Sequence, residues 1–217
     1  MIQLANVAKG FGKNKFSALK DINLTIEKGE MIAIMGPSGS GKSTLLNIIG
    51  LIDSPSAGKY FLDGMDTSTL KSNYHKYRNT EVGFVFQNFS LLDDYTVVEN
   101  VMLPLVYRRF SHKKRMQISK EMLKMVGLER HINKYPYELS GGEQQRTAIA
   151  RVLAQDTKII LADEPTGALD QENGEKIMNI LKEINKQGKT VLVVTHDQKV
   201  AAYCQSTIRL LDGNIVV

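Results

Sequence analysis

The chain has 217 residues, 42% hydrophobic and 24% charged, with 17 glycines, 5 prolines and one cysteine. This composition excludes collagen and intrinsic disorder, and at about 150 residues per domain it predicts one large domain or one domain with a sizeable insertion. Cys204 has no partner for an intrachain disulfide, which suits a reducing compartment. The net charge of +5 permits attraction to nucleotides, nucleic acid or an anionic membrane face without choosing among them. Uninterrupted apolar runs, such as those at 159–162 and 191–194, fall far short of the about 20 residues that span a bilayer, so no membrane crossing is expected. The opening MIQLANVAKGFGK lacks the features of an export signal.

The β-branched runs Ile2 to Val7 and Leu19 to Ile26 predict two opening strands, and the turn at Glu27 to Glu30 leads into an apolar strand from Met31 to Met35. A glycine-rich loop, Gly36 to Gly41, then precedes a buried helix from Lys42 to Ile49. Turns at Ser54 to Gly58 and at Asp63-Gly64 bracket a strand at Tyr60 to Leu62, a polar helix is expected over Leu70 to Asn79, and a strand over Val82 to Phe86. From Thr96 to about Arg130 the spacing becomes helical, with Met116, Ile118, Met122, Leu123 and Val126 among lysines, and no strand is expected before Ile159. The last third predicts a strand at Lys158 to Asp163, a helix at Gln171 to Lys186, a strand at Thr190 to Thr195, a short helix at Gln198 to Tyr203 and a hairpin at Asp212-Gly213. Strand-helix-strand repetition implies a parallel sheet with helices on its faces.

Gly36-Pro37-Ser38-Gly39-Ser40-Gly41-Lys42-Ser43 fits the phosphate-loop pattern G-x-x-x-x-G-K-[ST] between a strand and a helix, which makes a plain flexible turn a poor account of it. Glycines there let successive N–H groups face a polyphosphate, Lys42 offers a point charge, and Ser43 can ligate Mg²⁺. The strand 159–163 ends in Asp163 and Glu164: the first would hold Mg²⁺, the second would orient or deprotonate the attacking water. Pro165 is expected to bias Glu164 toward extended backbone. Ser140-Gly141-Gly142-Glu143 reads both as a capping box and as a second anion site at a helix N-terminus. Two phosphate-binding ends in one chain are explained economically by a head-to-tail dimer.

With these segments in place the chain resembles the ATP-binding-cassette ATPases over essentially its whole length, through the phosphate loop, Leu139-Ser-Gly-Gly-Glu-Gln-Gln-Arg146 and Asp163-Glu164 in matching order. The resemblance implies an α/β fold with a P-loop NTPase (RecA-like) core, a mostly parallel sheet, an N-terminal antiparallel β subdomain and a helical insertion. Within one domain, 1–217, residues 1–87 and 156–217 would form the nucleotide-binding core and 88–155 the helical subdomain. ATP and Mg²⁺ would be the ligands, with Ser43, Gln87 and Asp163 toward the metal, and Gly36 to Thr44 on the phosphates. Glu164, His196 and Gln87 would act in hydrolysis, with His196 on the γ-phosphate. Phe11 would stack on adenine, where the family more often has tyrosine. Ser140, Gly141 and Gly142 would close on the partner's nucleotide, and Asp170 would end the loop that crosses the interface.

The segment Leu91 to Leu105, with its N-V-x-L-P-L stretch, resembles the lipoprotein-releasing, macrolide-exporter and antimicrobial-peptide-exporter branch. That implies an ATP-dependent homodimer on the cytoplasmic face of the membrane, held there by a separate permease chain, and no nucleic-acid partner. Exposed apolar residues in this segment would meet a permease helix, the alternative being that they pack the insertion's own core. The basic cluster Arg108, Arg109, His112 to Arg115 reads first as a solvated face and second as attraction to an anionic leaflet. The competing function is a nucleotide-switched scaffold of membrane proteins in cell division or envelope signalling.

Overall fold

A computed structural model describes residues 1–12 and 16–216. Strands β1 (Ile2–Phe11) and β2 (Phe16–Ile26) pair antiparallel, and β1 also pairs with β4 (Ala57–Leu62), which pairs with the short β5 (Met65–Asp66), giving a sheet ordered β2-β1-β4-β5. The second sheet is built on β3 (Met31–Met35), β6 (Val82–Val85), β7 (Ile159–Asp163), β8 (Thr190–Val194), β9 (Ser206–Leu211) and β10 (Asn214–Val216), in the order β10-β9-β3-β8-β7-β6. All its pairings are parallel except the closing β9–β10 hairpin.

The two-residue period of the central strands divides the interior into two cores. Ile160, Ala162, Val191 and Val193 face one cluster, while Ile159, Leu161, Leu192 and Val194 face the other. Both faces are covered, so β7 and β8 are unbroken apolar runs rather than alternating ones. One cover is α1 (Lys42–Ile49) with the antiparallel sheet; the other is α3 (Val97–Val106), α4 (His112–Met125), α5 (Gly141–Gln155) and α6 (Gln171–Lys186), α2 being Tyr74–Glu81. Between Gln87 and Asp156 the described elements are all helical.

Two expectations are corrected, and the open alternative for Leu91 to Leu105 divides between its residues. The polar helix over 70–79 is a 3₁₀ turn, Thr67–Asn73, followed by α2, which fully buries no side chain and so has no apolar stripe to mark its bounds. The short helix after β8 stops at Ala201. In the N-V-x-L-P-L stretch Val101, Met102 and Leu105 are buried, so this stretch packs the insertion's own core; the exposed apolar residues flank it, at Leu92, Tyr95, Val106 and Tyr107. Asn100 is fully buried, yet satisfied: its amide accepts from Leu92 N–H and donates to the carbonyls of Leu92, Tyr95 and Thr96, tying the preceding loop to α3.

Candidate functional site

The parallel strands β3, β6, β7 and β8 end at one edge of the sheet, where such folds gather ligand contacts. There they deliver the loop 36–41, Gln87, Asp163-Glu164 and His196 to a cleft of about 740 Å³, also lined by Phe11. The loop is wedged between the sheets. A Cβ on Gly36 (φ 157) would lie 2.1 Å from the Leu210 carbonyl oxygen, and one on Gly41 (φ 103) 2.5 Å from that of Ala18. Neither neighbour can retreat, because both are backbone, so glycine is required at both positions. Gly36, Pro37, Ser38, Gly39, Gly41, Lys42, Ser43 and Thr44 line the cleft. Ser40 differs from the expectation: the residue is 2% exposed, its hydroxyl is buried without a partner among the described residues, and its N–H donates to the Pro37 carbonyl.

Lys42 Nζ donates to the carbonyls of Gly36 and Pro37, both at 2.8 Å, so the loop curls around its own cation. Ser43 Oγ donates to Asp163 Oδ2 at 3.3 Å. Burial pushes the Asp163 carboxyl above the usual range, and the charge of Glu164 adds to this, against the pull of Ser43 and Lys42. A hydroxyl and a partly desolvated carboxylate facing each other beside a lysine form an oxygen donor set that fits a hard divalent cation such as Mg²⁺.

Glu164 is not extended as Pro165 suggested but left-handed, with φ 46. Its N–H donates to the Val194 carbonyl of the neighbouring strand and its carbonyl accepts from Gly167 N–H in a local turn, both at 3.0 Å, and the long-range bond to Val194 overrides the preference set by Pro165. The turn aims Glu164 Oε1 at His196 Nδ1, 2.8 Å away, with Thr195 Oγ1 at 3.5 Å from Oε2. The His196 side chain is 75% exposed, and the hydrogen bond and charge of Glu164 raise its pKa. The Gln87 side chain lies against Gly167, where a Cβ would sit 2.8 Å from Nε2. Phe11, at the end of β1 and 46% exposed, has Lys9 Nζ over its ring at 5.2 Å from the centroid.

The remaining expected residues lie outside this cleft's lining. Ser140 caps α5 and its N–H and hydroxyl both donate to Glu143 Oε2 at 2.8 Å, closing the expected capping box. Glu143 also meets His131 Nε2 at 3.2 Å. Gly141 and Gly142 open the helix; a Cβ on Gly142 would lie 2.7 Å from Asn173 Oδ1, so α5 and α6 approach too closely for a side chain. Asp170 caps α6 through Asn173 N–H at 2.8 Å, and its carboxyl is held below the usual range by its bonds to Asn173. Sequence reading missed Asn100, whose signal was a polar residue in an apolar run, and Thr195.

A family model described as ABC transporter matches residues 19–167. An uncharacterized ABC transporter ATP-binding protein of Methanocaldococcus jannaschii is 50% identical over 223 residues, covering 99% of this chain and 95% of the relative. A solved dimeric structure of that protein, in a post-hydrolysis state bound to ADP and Pi, superposes with a TM-score of 0.92 at 48% identity, covering 100% of this chain and 97% of the other. The macrolide export ATP-binding/permease protein of a Shewanella species is 46% identical over 206 residues, covering 94% of this chain but 32% of the exporter. The chain thus spans about a third of that relative's length.

Proposed function

This chain belongs to the ABC transporter family, and on that footing we propose that it hydrolyses ATP as a head-to-tail dimer to power a separate permease, in export or extraction of a peptide, lipoprotein or drug-like substrate. The observation that carries the dimer is the parting of two anion-binding ends: Lys42 and its loop line the cleft, while the Ser140 end of α5 does not. In this reading Lys42 and the backbone N–H groups of Gly39, Gly41, Lys42, Ser43 and Thr44 hold the β and γ phosphates, Phe11 stacks on adenine, and Ser140, Gly141 and Gly142 of a second copy close on the γ-phosphate. Asp170 then ends the loop at the interface.

Ser43, Asp163 and Gln87 would hold Mg²⁺, which would supply positive charge to offset the charge on the phosphate oxygens. Glu164 takes the proton of the attacking water once His196 releases its carboxylate and turns to the γ-phosphate. The Nδ1–Oε1 contact between them therefore marks a resting arrangement that nucleotide must break. ATP drives closure because it binds the closed state from both sides, and only such a difference in affinity shifts the equilibrium.

Residues 88–155 are read as the helical unit that meets the permease. A groove of about 980 Å³ runs beside α2 and the end of α3, with His75, Lys76, Arg78 and Arg108 around the exposed Tyr107 and Phe110. Its charge suits an acidic cytoplasmic segment, which would seat the chain on the cytoplasmic membrane face. The intact Glu164–His196 pair favours turnover over a purely scaffolding role. Ser140→Arg tests the sandwich: the single chain should bind ATP as before while hydrolysis falls at least about 10²-fold, and unchanged hydrolysis would refute it.

A further inference from the structure

Helix α5, which begins beside Ser140, sends side-chain donors to the backbone of three other segments. Gln145 Nε2 donates to the Pro165 carbonyl at 2.7 Å, next to Glu164. Gln155 Nε2 reaches the carbonyls of Arg78, Asn79 and Val82 at the entrance to β6. Between them, Arg151 donates from Nη1 to the Ser90 carbonyl at 2.7 Å and from Nη2 to the Phe89 carbonyl at 3.1 Å. Phe89 and Ser90 are consecutive non-glycine residues in the left-handed region, at φ 60 and φ 49. Such backbone persists only where its surroundings enforce it.

The enforcing contacts are few. Within the loop Phe89 N–H donates to Phe86 and Ser90 N–H to Asn88, which makes the turn but leaves both outward carbonyls open. Adjacent left-handed residues turn their carbonyls to one side, and a planar guanidinium fork matches that pair where an ammonium offers a single point of charge. Arg151 forms no salt bridge among the described residues, so the two carbonyls are what its charge answers. The Phe89 ring approaches the other end of the same helix: a Cβ on Gly141 would lie 3.6 Å from its Cζ. The loop that follows Gln87 thus lies along α5, bonded to Arg151 and with its Phe89 ring near Gly141.

We propose that Arg151 is a positioning residue for hydrolysis, holding the Phe89 and Ser90 carbonyls so that Gln87 stays in register with the helix that begins at Ser140. The inference rests on the reading of Gln87 as part of the hydrolytic site. Arg151 does not line the cleft; it links the loop at the cleft to the helix end presented to the second copy, so the two shift together.

The test compares Arg151→Gln, Arg151→Lys, Ser90→Gly and Arg151→Gln with Ser90→Gly in the full chain, by steady-state ATPase kinetics, binding of a fluorescent ATP analogue and thermal melting, with Gln87→Ala as reference. Arg151→Gln should lower kcat about tenfold, as expected for sub-ångström misplacement of a site group, with analogue affinity changed less than about twofold. Arg151→Lys should not restore turnover. Ser90→Gly alone should change little, and in the Arg151→Gln background it should recover most of the lost turnover, because glycine holds positive φ without a brace. If Arg151→Gln does not fold, the same loss and rescue are required of Arg151→Lys. Wild-type kcat in Arg151→Gln, or a loss that Ser90→Gly leaves untouched, overturns the proposal. Wild-type turnover in Gln87→Ala would instead overturn the reading of Gln87.

Discussion

Gly167 separates a catalytic effect from a structural one at a single atom. A Cβ there would lie 2.8 Å from Gln87 Nε2, 3.3 Å from Gln87 Cδ and 3.4 Å from the Glu164 carbonyl oxygen. Relaxing the first contact to an ordinary separation of about 3.5 Å moves the carboxamide by roughly 0.7 Å. Misplacement of about 1 Å can cost about 10²-fold in rate, so Gly167→Ala should lower kcat on the order of tenfold. Gly167 is exposed, has no positive φ, and its nearest neighbour is the far end of a flexible side chain, so folding should not suffer. Restricting the unfolded chain adds about 0.4–1 kcal/mol to stability, which at this size raises Tm by about 1–4 °C. Steady-state kinetics with calorimetry check both halves: kcat falls while ATP affinity holds and Tm is level or higher. Gly36→Ala is the contrasting control, since its Cβ would meet a backbone carbonyl at 2.1 Å, and it should lose both Tm and nucleotide binding. Wild-type kcat in Gly167→Ala, or joint loss of Tm and ATP affinity, would refute the reasoning.

Two further outcomes follow from the titrating groups. Because burial raises the Asp163 pKa in the folded chain, the fold binds that proton more tightly than the unfolded chain does, and this group's contribution to stability falls as pH rises through the interval between the two values. Asp163→Asn should therefore raise the Tm of the nucleotide-free chain at pH 7, lose that advantage in acid, and abolish Mg²⁺-dependent hydrolysis; a lower Tm at pH 7 would contradict the desolvation argument. His196 should titrate by NMR above an ordinary histidine, and Glu164→Gln should bring its midpoint back down. The sign is that of a raised cation: any stability it adds is present below the unfolded pKa and lost as pH rises through the folded one, and its exposure keeps that effect small. A midpoint indifferent to Glu164→Gln would remove the pair from the account.

What could be read from sequence was local and periodic. The helix from Lys42 to Ile49 and that from Gln171 to Lys186 have their expected bounds, since each joins an apolar face to a loop or cap immediately before it. The strands β7 and β8 were legible because burial on both faces makes them continuous apolar runs. What depends on contacts between distant segments was not. The Pro165 rule is a statement about neighbours, and a bond from Glu164 N–H to Val194 across the sheet defeats it. The Glu164–His196 pair arises because β7 and β8 are adjacent and in register, with Asp163 opposite Val194, although 32 residues separate the partners. The bounds of α2 were illegible for the opposite reason, that none of its side chains is fully buried and only Tyr74 and Tyr77 lean on the core.

The measurement closest to the central claim is light scattering after size exclusion on Glu164→Gln, with and without Mg-ATP. Removing the base should leave ATP held between two copies at the moment before cleavage. The account predicts a 24.2 kDa particle alone and one of twice that mass only when ATP is present. A chain that binds ATP yet stays at 24.2 kDa at every concentration, or one that pairs equally without nucleotide, would contradict it.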